Sequence, residues 1–144
     1  MAKKKLLTPA IFCFLTAIFV VLISINFIPA VGELFYGPAF LVLIVTFFIF
    51  GLTLVISTIK EKIKGKLKKF LILTGASAVG FFLGVLLHNF FYALAIIVQN
   101  IAPLHYLIEI LHVVFFITGT LICPIGFLIG TVASIIFYMN QENH

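Results

Sequence analysis

The sequence predicts an all-α fold, namely an integral membrane four-helix bundle built from two antiparallel transmembrane hairpins. Three observations predict it. First, 64% of the residues are hydrophobic, 9% are charged and the mean hydropathy is +1.35, whereas about a quarter of the residues of soluble domains are charged. Second, all nine lysines fall in two clusters, at residues 3–5 and 60–69. Third, the remaining chain divides into four apolar segments, each of about the length that crosses a bilayer.

The first predicted hairpin pairs a span at residues 7–28 with a span at residues 39–59. Thr8 and Pro9 are typical of a helix start. The first apolar run, of about twenty-two residues, is longer than the apolar region of a secretory signal, which has roughly 7 to 15 residues, so we expect a retained anchor. A turn containing Pro29 and Gly32 joins the spans, and the polar residues inside the second are small hydroxyls that can bond to their own helix.

The second predicted hairpin pairs a span at residues 70–98 with one at residues 110–138. The lysine-rich residues 60–69 predict a tight linker before it, and residues 99–105, which include Pro103, predict the turn inside it. Pro124 predicts a kink near mid-membrane and a freed carbonyl near Thr120. Together the four spans form one transmembrane domain, residues 1–144.

The lysine clusters predict the orientation of the chain. Lysine-bearing segments stay on the cytoplasmic side, so a multi-pass protein of the cell membrane with both termini cytoplasmic is expected. The chain has no arginine and its lysines adjoin lipid-spanning segments, which favours anionic lipid headgroups, not nucleic acid, as their partner. The predicted headgroup-binding residues are Lys60, Lys62, Lys64, Lys66, Lys68 and Lys69.

Small residues recur every four positions on both helices of the second hairpin. Such residues let two backbones approach closely, which predicts an antiparallel helix seam. Folding the hairpin about Pro103 sets Gly80 level with Gly126 and Ala76 level with Gly130. The predicted packing residues are Ala76, Gly80 and Gly84 on the third span and Gly126, Gly130 and Ser134 on the fourth.

Several polar residues lie near the predicted outer surface. Glu109 and His112 form an E-x-x-H pair, a spacing found in metal sites, with His105 close in sequence. A haem would need His88 and His112 at similar depth, but folding about Pro103 sets His88 level with Thr118. The sequence therefore favours a structural role, with His88 bonding Thr118 or a neighbouring carbonyl, and predicts no cofactor.

The sequence predicts a non-enzymatic protein. Cys13 and Cys123 lie at different depths and form no C-x-x-C motif, which opposes a thiol oxidoreductase. Ser77, within Gly-Ala-Ser-Ala, resembles the serine motif of rhomboid intramembrane proteases. The nearest in-helix histidine, His88, is about 16 Å away along the axis, whereas a nucleophile and its base must lie within about 3 Å.

Half of the chain, from Gly65 to Ser134, resembles a family of small uncharacterised prokaryotic integral membrane proteins. The segments that carry the resemblance read GKLKKFL, LTGASAVGF, LHN and, later, CPIGF. The resemblance implies a membrane hairpin in which His88 and Asn89 recur, and it implies no catalytic role.

The functional expectation is a structural or interaction component of a membrane complex or homo-oligomer. Two alternatives stay open. A small transporter or channel is one, although small four-helix exporters carry an acidic residue inside the first helix and this chain has none there. An electron-transfer subunit with a histidine-ligated haem or metal is the other, and it rests only on the histidines.

Overall fold

The computed structural model describes residues 7–34 and 37–142, and this part of the chain is helical almost throughout. The described helices are α1 (Leu7–Phe27), α2 (Pro29–Leu34), α3 (Pro38–Lys60), α4 (Gly65–Ile97), α5 (Ala102–Ile117) and α6 (Cys123–Glu142). A π-helical turn joins α5 to α6, so that the two continue as one long rod. Four rods, α1, α3, α4 and α5–α6, are long and apolar enough to cross a membrane. The predicted all-α four-helix fold is confirmed, whereas the lysines at residues 3–5 lie outside the described residues.

Helix α4 is the centre of the bundle. It packs against α3 on one side and against α5 and α6 on the other, while α1 packs against α3. The α3–α4 contact is close because glycines face each other: a Cβ atom on Gly75 would lie 2.7 Å from the carbonyl oxygen of Gly51. Close backbone approach increases dispersion contacts, the main attraction between helices that lipid does not supply.

Aromatic side chains fill the wider space between α1 and α6. The rings of Phe19 and Phe127 stack with centroids 4.2 Å apart, and Phe47 of α3 lies 5.3 Å from Phe127. Phe47 and Phe127 are among the largest fully buried side chains. An aromatic cluster within the largely aliphatic core therefore ties the first rod to the last.

The connection between α3 and α4 is shorter than predicted. Helix α4 begins at Gly65, so the linker is residues 61–64 and Lys66, Lys68 and Lys69 lie on the first turns of the helix. The linker predicted at residues 60–69 is thus wrong, because lysine is a good helix former whose ammonium can reach the aqueous surface from a helix end. The turn is tight: φ is 53° at Lys62 and 72° at Gly65. We call this end of the bundle the lysine end and the opposite one the far end.

The turn between α4 and α5 also differs from the prediction. Helix α5 begins at Ala102 with a proline in its first turn, so the turn is residues 98–101 and the prediction of residues 99–105 is wrong. Proline suits the first turn of a helix because the amide hydrogen that it lacks has no partner there in any case. Moving the turn towards the N-terminus changes the register of the whole hairpin.

A kink and a freed carbonyl were predicted just before Pro124, and the structure has a π-helical turn there, Thr118–Ile122. The backbone N–H of Cys123 donates to the carbonyl of Thr118, five residues back. Proline cannot donate a backbone hydrogen bond, so the helix before it widens by one residue and re-forms its hydrogen bonds.

Candidate functional site

The seam between α4 and α6 brings small residues together in a register that differs from the predicted one. A Cβ atom on Gly80 would lie 2.7 Å from the sulfur of Cys123, and one on Gly126 would lie 2.7 Å from the hydroxyl of Ser77. Gly80 is therefore level with Cys123, not with Gly126. The helices nevertheless meet where the sequence places small residues, so there is no room for a larger side chain at these points.

At two points along this hairpin a glycine lies against the backbone of the opposite helix. A Cβ atom on Gly84 would lie 2.7 Å from the Cα atom of Gly119, and one on Gly130 would lie 2.9 Å from the amide nitrogen of Thr74. Neither obstacle can rotate away as a flexible side chain could. Gly84 and Gly130 are therefore the least replaceable residues of the seam.

Two of the predicted packing residues, Ala76 and Ser134, differ from the glycines in their surroundings. Ala76 is exposed on the outside of α4, so its assignment to the seam is wrong. Eight residues separate it from Gly84, which at 3.6 residues per turn rotates it by about 80° around the helix. Ser134 is fully buried, and its hydroxyl has no hydrogen-bond partner among the described residues.

His88 of α4 and His112 of α5 meet at the far end, contrary to the prediction that they differ in depth. The rings of His88 and His112 stack with centroids 4.3 Å apart and planes 24° apart. The Nδ1 atom of His88 lies 3.3 Å from the carbonyl oxygen of His112, so that nitrogen carries the proton and donates it. Tyr92 and Phe116 enclose the pair at centroid distances of 5.4 and 5.1 Å.

His88 does not bond Thr118. It bonds the carbonyl of His112, which is the second alternative predicted from the sequence, a neighbouring carbonyl. The Thr118 hydroxyl instead donates to the carbonyl of Val114, within its own helix. The Nδ1 atom of His112 is buried and has no partner among the described residues. This nitrogen is the least satisfied polar atom of the histidine pair.

The far end does not assemble a conventional metal site from the candidates named by the sequence. No group of three or more histidine, cysteine or acidic side chains able to hold a metal occurs within residues 7–34 and 37–142. The Nδ1 atom of His105 lies 3.2 Å from the carbonyl oxygen of Ala95 and so ties α5 back to α4. Glu109 is half-buried on α5, one helical turn before His112.

The predicted headgroup lysines divide into two groups at the lysine end. Lys62 and Lys64 line a pocket together with Glu61 and Tyr138, whereas Lys60 is outside its lining. The Nζ atom of Lys66 lies 5.9 Å from the ring centre of Phe137, where a cation–π attraction arises. The six lysines, treated as one cluster in the sequence, therefore occupy different environments.

The middle of the bundle holds a small cavity of about 80 Å³ lined mostly by apolar side chains, phenylalanines among them. Among the described residues that line it, only Ser77 and Cys123 have polar side-chain atoms. Both described cysteines are free thiols, Cys13 exposed and Cys123 buried. Ser77 packs against Gly126 at the seam and not against a histidine, so its surroundings are those of a packing residue.

Sequence reasoning missed several residues that shape these sites. Gly51 and Gly119 make close helix contacts, and Tyr138 lines the pocket at the lysine end. An isolated glycine within an apolar helix, such as Gly51, is a usable signal because glycine there lowers helix propensity and so calls for a packing reason. Tyr138 carries no such signal.

Comparisons with protein-family models, curated proteins and solved structures give no match to this chain. The resemblance to small prokaryotic membrane proteins stays a prediction from sequence pattern.

Proposed function

We propose that this protein is a non-enzymatic, multi-pass component of the cell membrane that acts by association, as part of a membrane complex or a homo-oligomer. Its lysine end and both termini lie on the cytoplasmic side in this proposal. The orientation rests on the lysine bias, and the role rests on the placement of charge and on the surface left uncovered by the bundle.

The observation that carries the proposal is the placement of charge. All described lysines lie in or beside the α3–α4 turn, together with Glu61. The other described acids are Glu33 in the short α2, Glu109 in the first half of α5 and Glu142 at the end of α6. Ion-coupled transport generally uses an ionisable group in the membrane interior. Within the described residues, the middle of every rod lacks a lysine or an acid, which favours association over transport.

The surface of the bundle also supports association. In each crossing rod, 33% or less of the most apolar stretch is buried inside the bundle. Helix α6 exposes a continuous apolar face that includes Leu128, Ile129, Val132 and Ile136. In a bilayer such faces meet either lipid or another helix, so each rod has an uncovered apolar surface on which a partner helix could pack.

Cross-linking in intact membranes tests the proposal. Two copies with different tags are co-expressed and treated with a short amine-reactive reagent, because the lysines gather at one turn and those of adjacent protomers would lie within reach. We expect cross-linked species that carry both tags, or one constant partner. Membranes that express each tag separately and are mixed afterwards provide the control. Recovery of single-tag monomers alone would contradict the proposal.

A second candidate function, proton or electron transfer, is favoured by the histidine pair alone. His88 and His112 are in contact and so lie at the same depth. The depth difference that the sequence predicted therefore does not prevent the two histidines from sharing a ligand. A ring spacing of 4.3 Å, however, leaves no room between the rings for an iron with two in-line Fe–N bonds of about 2 Å each. A visible spectrum and metal analysis of purified protein test this candidate: a Soret band or stoichiometric metal lost in both His88→Leu and His112→Leu would favour it.

A further inference from the structure

A polar pocket opens at the lysine end, where the α3–α4 turn meets the start of α1 and the last turns of α6. Its volume is about 350 Å³, compared with about 80 Å³ for the central cavity. The lining residues are Pro9, Glu61, Lys62, Ile63, Lys64, Leu67 and Tyr138. Three of the four rods contribute to the pocket, so its shape depends on the folded bundle and not on the turn alone.

The charges on the wall favour an anion. Lys62 and Lys64 contribute two positive charges and Glu61 one negative charge, which leaves a net charge of +1. The N-terminus of α4 begins at the same place: Lys64 is its N-cap residue and makes no side-chain capping bond. The unpaired first-turn amides and the helix dipole add to the attraction for an anion held by the lysines.

The hydroxyl of Tyr138 supplies an independent reason to expect a ligand. It is a buried hydroxyl with no hydrogen-bond partner in the described part of the chain. Buried polar atoms are nearly always paired, and a phenol can donate one hydrogen bond to an oxygen. Tyr138 lines the same pocket as the two lysines, so an anionic oxygen bound there could pair with this hydroxyl once the side chain shifts to expose it.

We propose that this pocket binds the phosphodiester group of an acidic phospholipid. A phosphodiester carries one negative charge, which matches the net charge of the wall, and its oxygens accept hydrogen bonds from ammonium and phenol groups. Ile63, Leu67 and Pro9 provide an apolar wall suited to the glycerol and upper acyl chain. The binding of one lipid is independent of the association proposed above, since it holds equally for a monomer and an oligomer.

Two double variants that remove the same charge from the same region test the proposal. Lys62→Gln with Lys64→Gln removes the cations of the pocket, whereas Lys60→Gln with Lys69→Gln removes two lysines outside the pocket lining. The full-length, delipidated protein in neutral detergent is titrated with phosphatidylglycerol, with phosphatidylcholine as the reference lipid. Native mass spectrometry then counts bound lipids.

The pocket variant should bind phosphatidylglycerol at least about tenfold more weakly than the unaltered protein, because charge-assisted hydrogen bonds are lost. The control variant should lose no more than about threefold. Equal losses in the two variants would overturn the proposal, since diffuse attraction to a basic surface depends only on the number of lysines.

Two further measurements identify the source of the phosphate and guard against misfolding. Inorganic phosphate should neither bind tightly nor displace the lipid. If it binds with the same dependence on Lys62 and Lys64 while phosphatidylglycerol does not, the lipid proposal fails. Tyr138→Phe, which keeps the ring and its packing against Phe12, should weaken lipid binding several-fold without lowering the melting temperature of the lipid-free protein. An unchanged lipid affinity in this variant would also count against the proposal.

Discussion

Replacing Gly84 by leucine should destabilise the bundle far more than replacing Ala76 by leucine, although both changes place a leucine on the same helix. A Cβ atom on Gly84 would lie 2.7 Å from the Cα atom and 2.9 Å from the amide nitrogen of Gly119. The obstacle is backbone, so the two helices must separate. Ala76 is exposed, so its added side chain meets no neighbouring helix.

The expected magnitude follows from two opposing terms. Overpacking a filled contact costs up to about 3 kcal/mol, and the higher helix propensity of leucine relative to glycine returns somewhat under 1 kcal/mol. We therefore expect the free energy of unfolding to fall by about 2 kcal/mol for Gly84→Leu. For a chain of this size that corresponds to a melting temperature lower by roughly 4 to 8 °C. Ala76→Leu should change the free energy by no more than about 0.5 kcal/mol.

The buried thiol of Cys123 provides the assay. In a Cys13→Ser background it is the only thiol in the chain, and burial shields it from a fluorescent maleimide until the bundle opens. Maleimide labelling of Cys123, measured against temperature in detergent, then gives the melting temperatures of the two variants under the same conditions. Equal melting temperatures for Gly84→Leu and Ala76→Leu, or a lower one for Ala76→Leu, would refute the reasoning about the seam.

Three further predictions concern other parts of the bundle. Ser134→Ala should raise the free energy of unfolding by about 1 kcal/mol, because it removes a buried hydroxyl that has no partner among residues 7–34 and 37–142; a lower melting temperature would contradict this. His88→Leu should cost about 1 to 2 kcal/mol by removing the donor to the His112 carbonyl, whereas His88→Gln should retain stability; equal melting curves would argue against that bond. In a variant without native cysteines, Glu33→Cys should react with an impermeant thiol reagent added outside intact cells and Gly65→Cys should not; the reverse pattern would invert the orientation.

The crossing rods were predictable because each residue that faces lipid must be apolar, so a membrane-spanning helix appears in the sequence as a continuous apolar run. Apolar runs identified all four rods, and their differences from the structure lie at the ends. Lys66 and Lys68 are polar yet helical, so a boundary drawn where hydropathy falls is placed too late. At Pro103 the start of the helix was also predicted too late, because proline is compatible with both a turn and the first turn of a helix.

The register of the second hairpin was not predictable from the same information. A turn centred about three residues earlier than Pro103 moves the partner of every α4 residue by about six, which is why His88 meets His112 instead of Thr118. The extra residue of the π-helical turn changes the register again along the seam, so Gly80 meets Cys123. A single sequence gives small-residue spacing within one helix, but the pairing between helices depends on the turn between them.

The mass of the protein in nanodiscs cut directly from the native membrane tests the central claim most directly. The claim that the protein acts by association predicts a particle containing either several 16.0 kDa protomers or one protomer with a constant partner protein. The contradictory result is a lone protomer that, after reconstitution into vesicles, drives proton-coupled uptake abolished by His88→Ala.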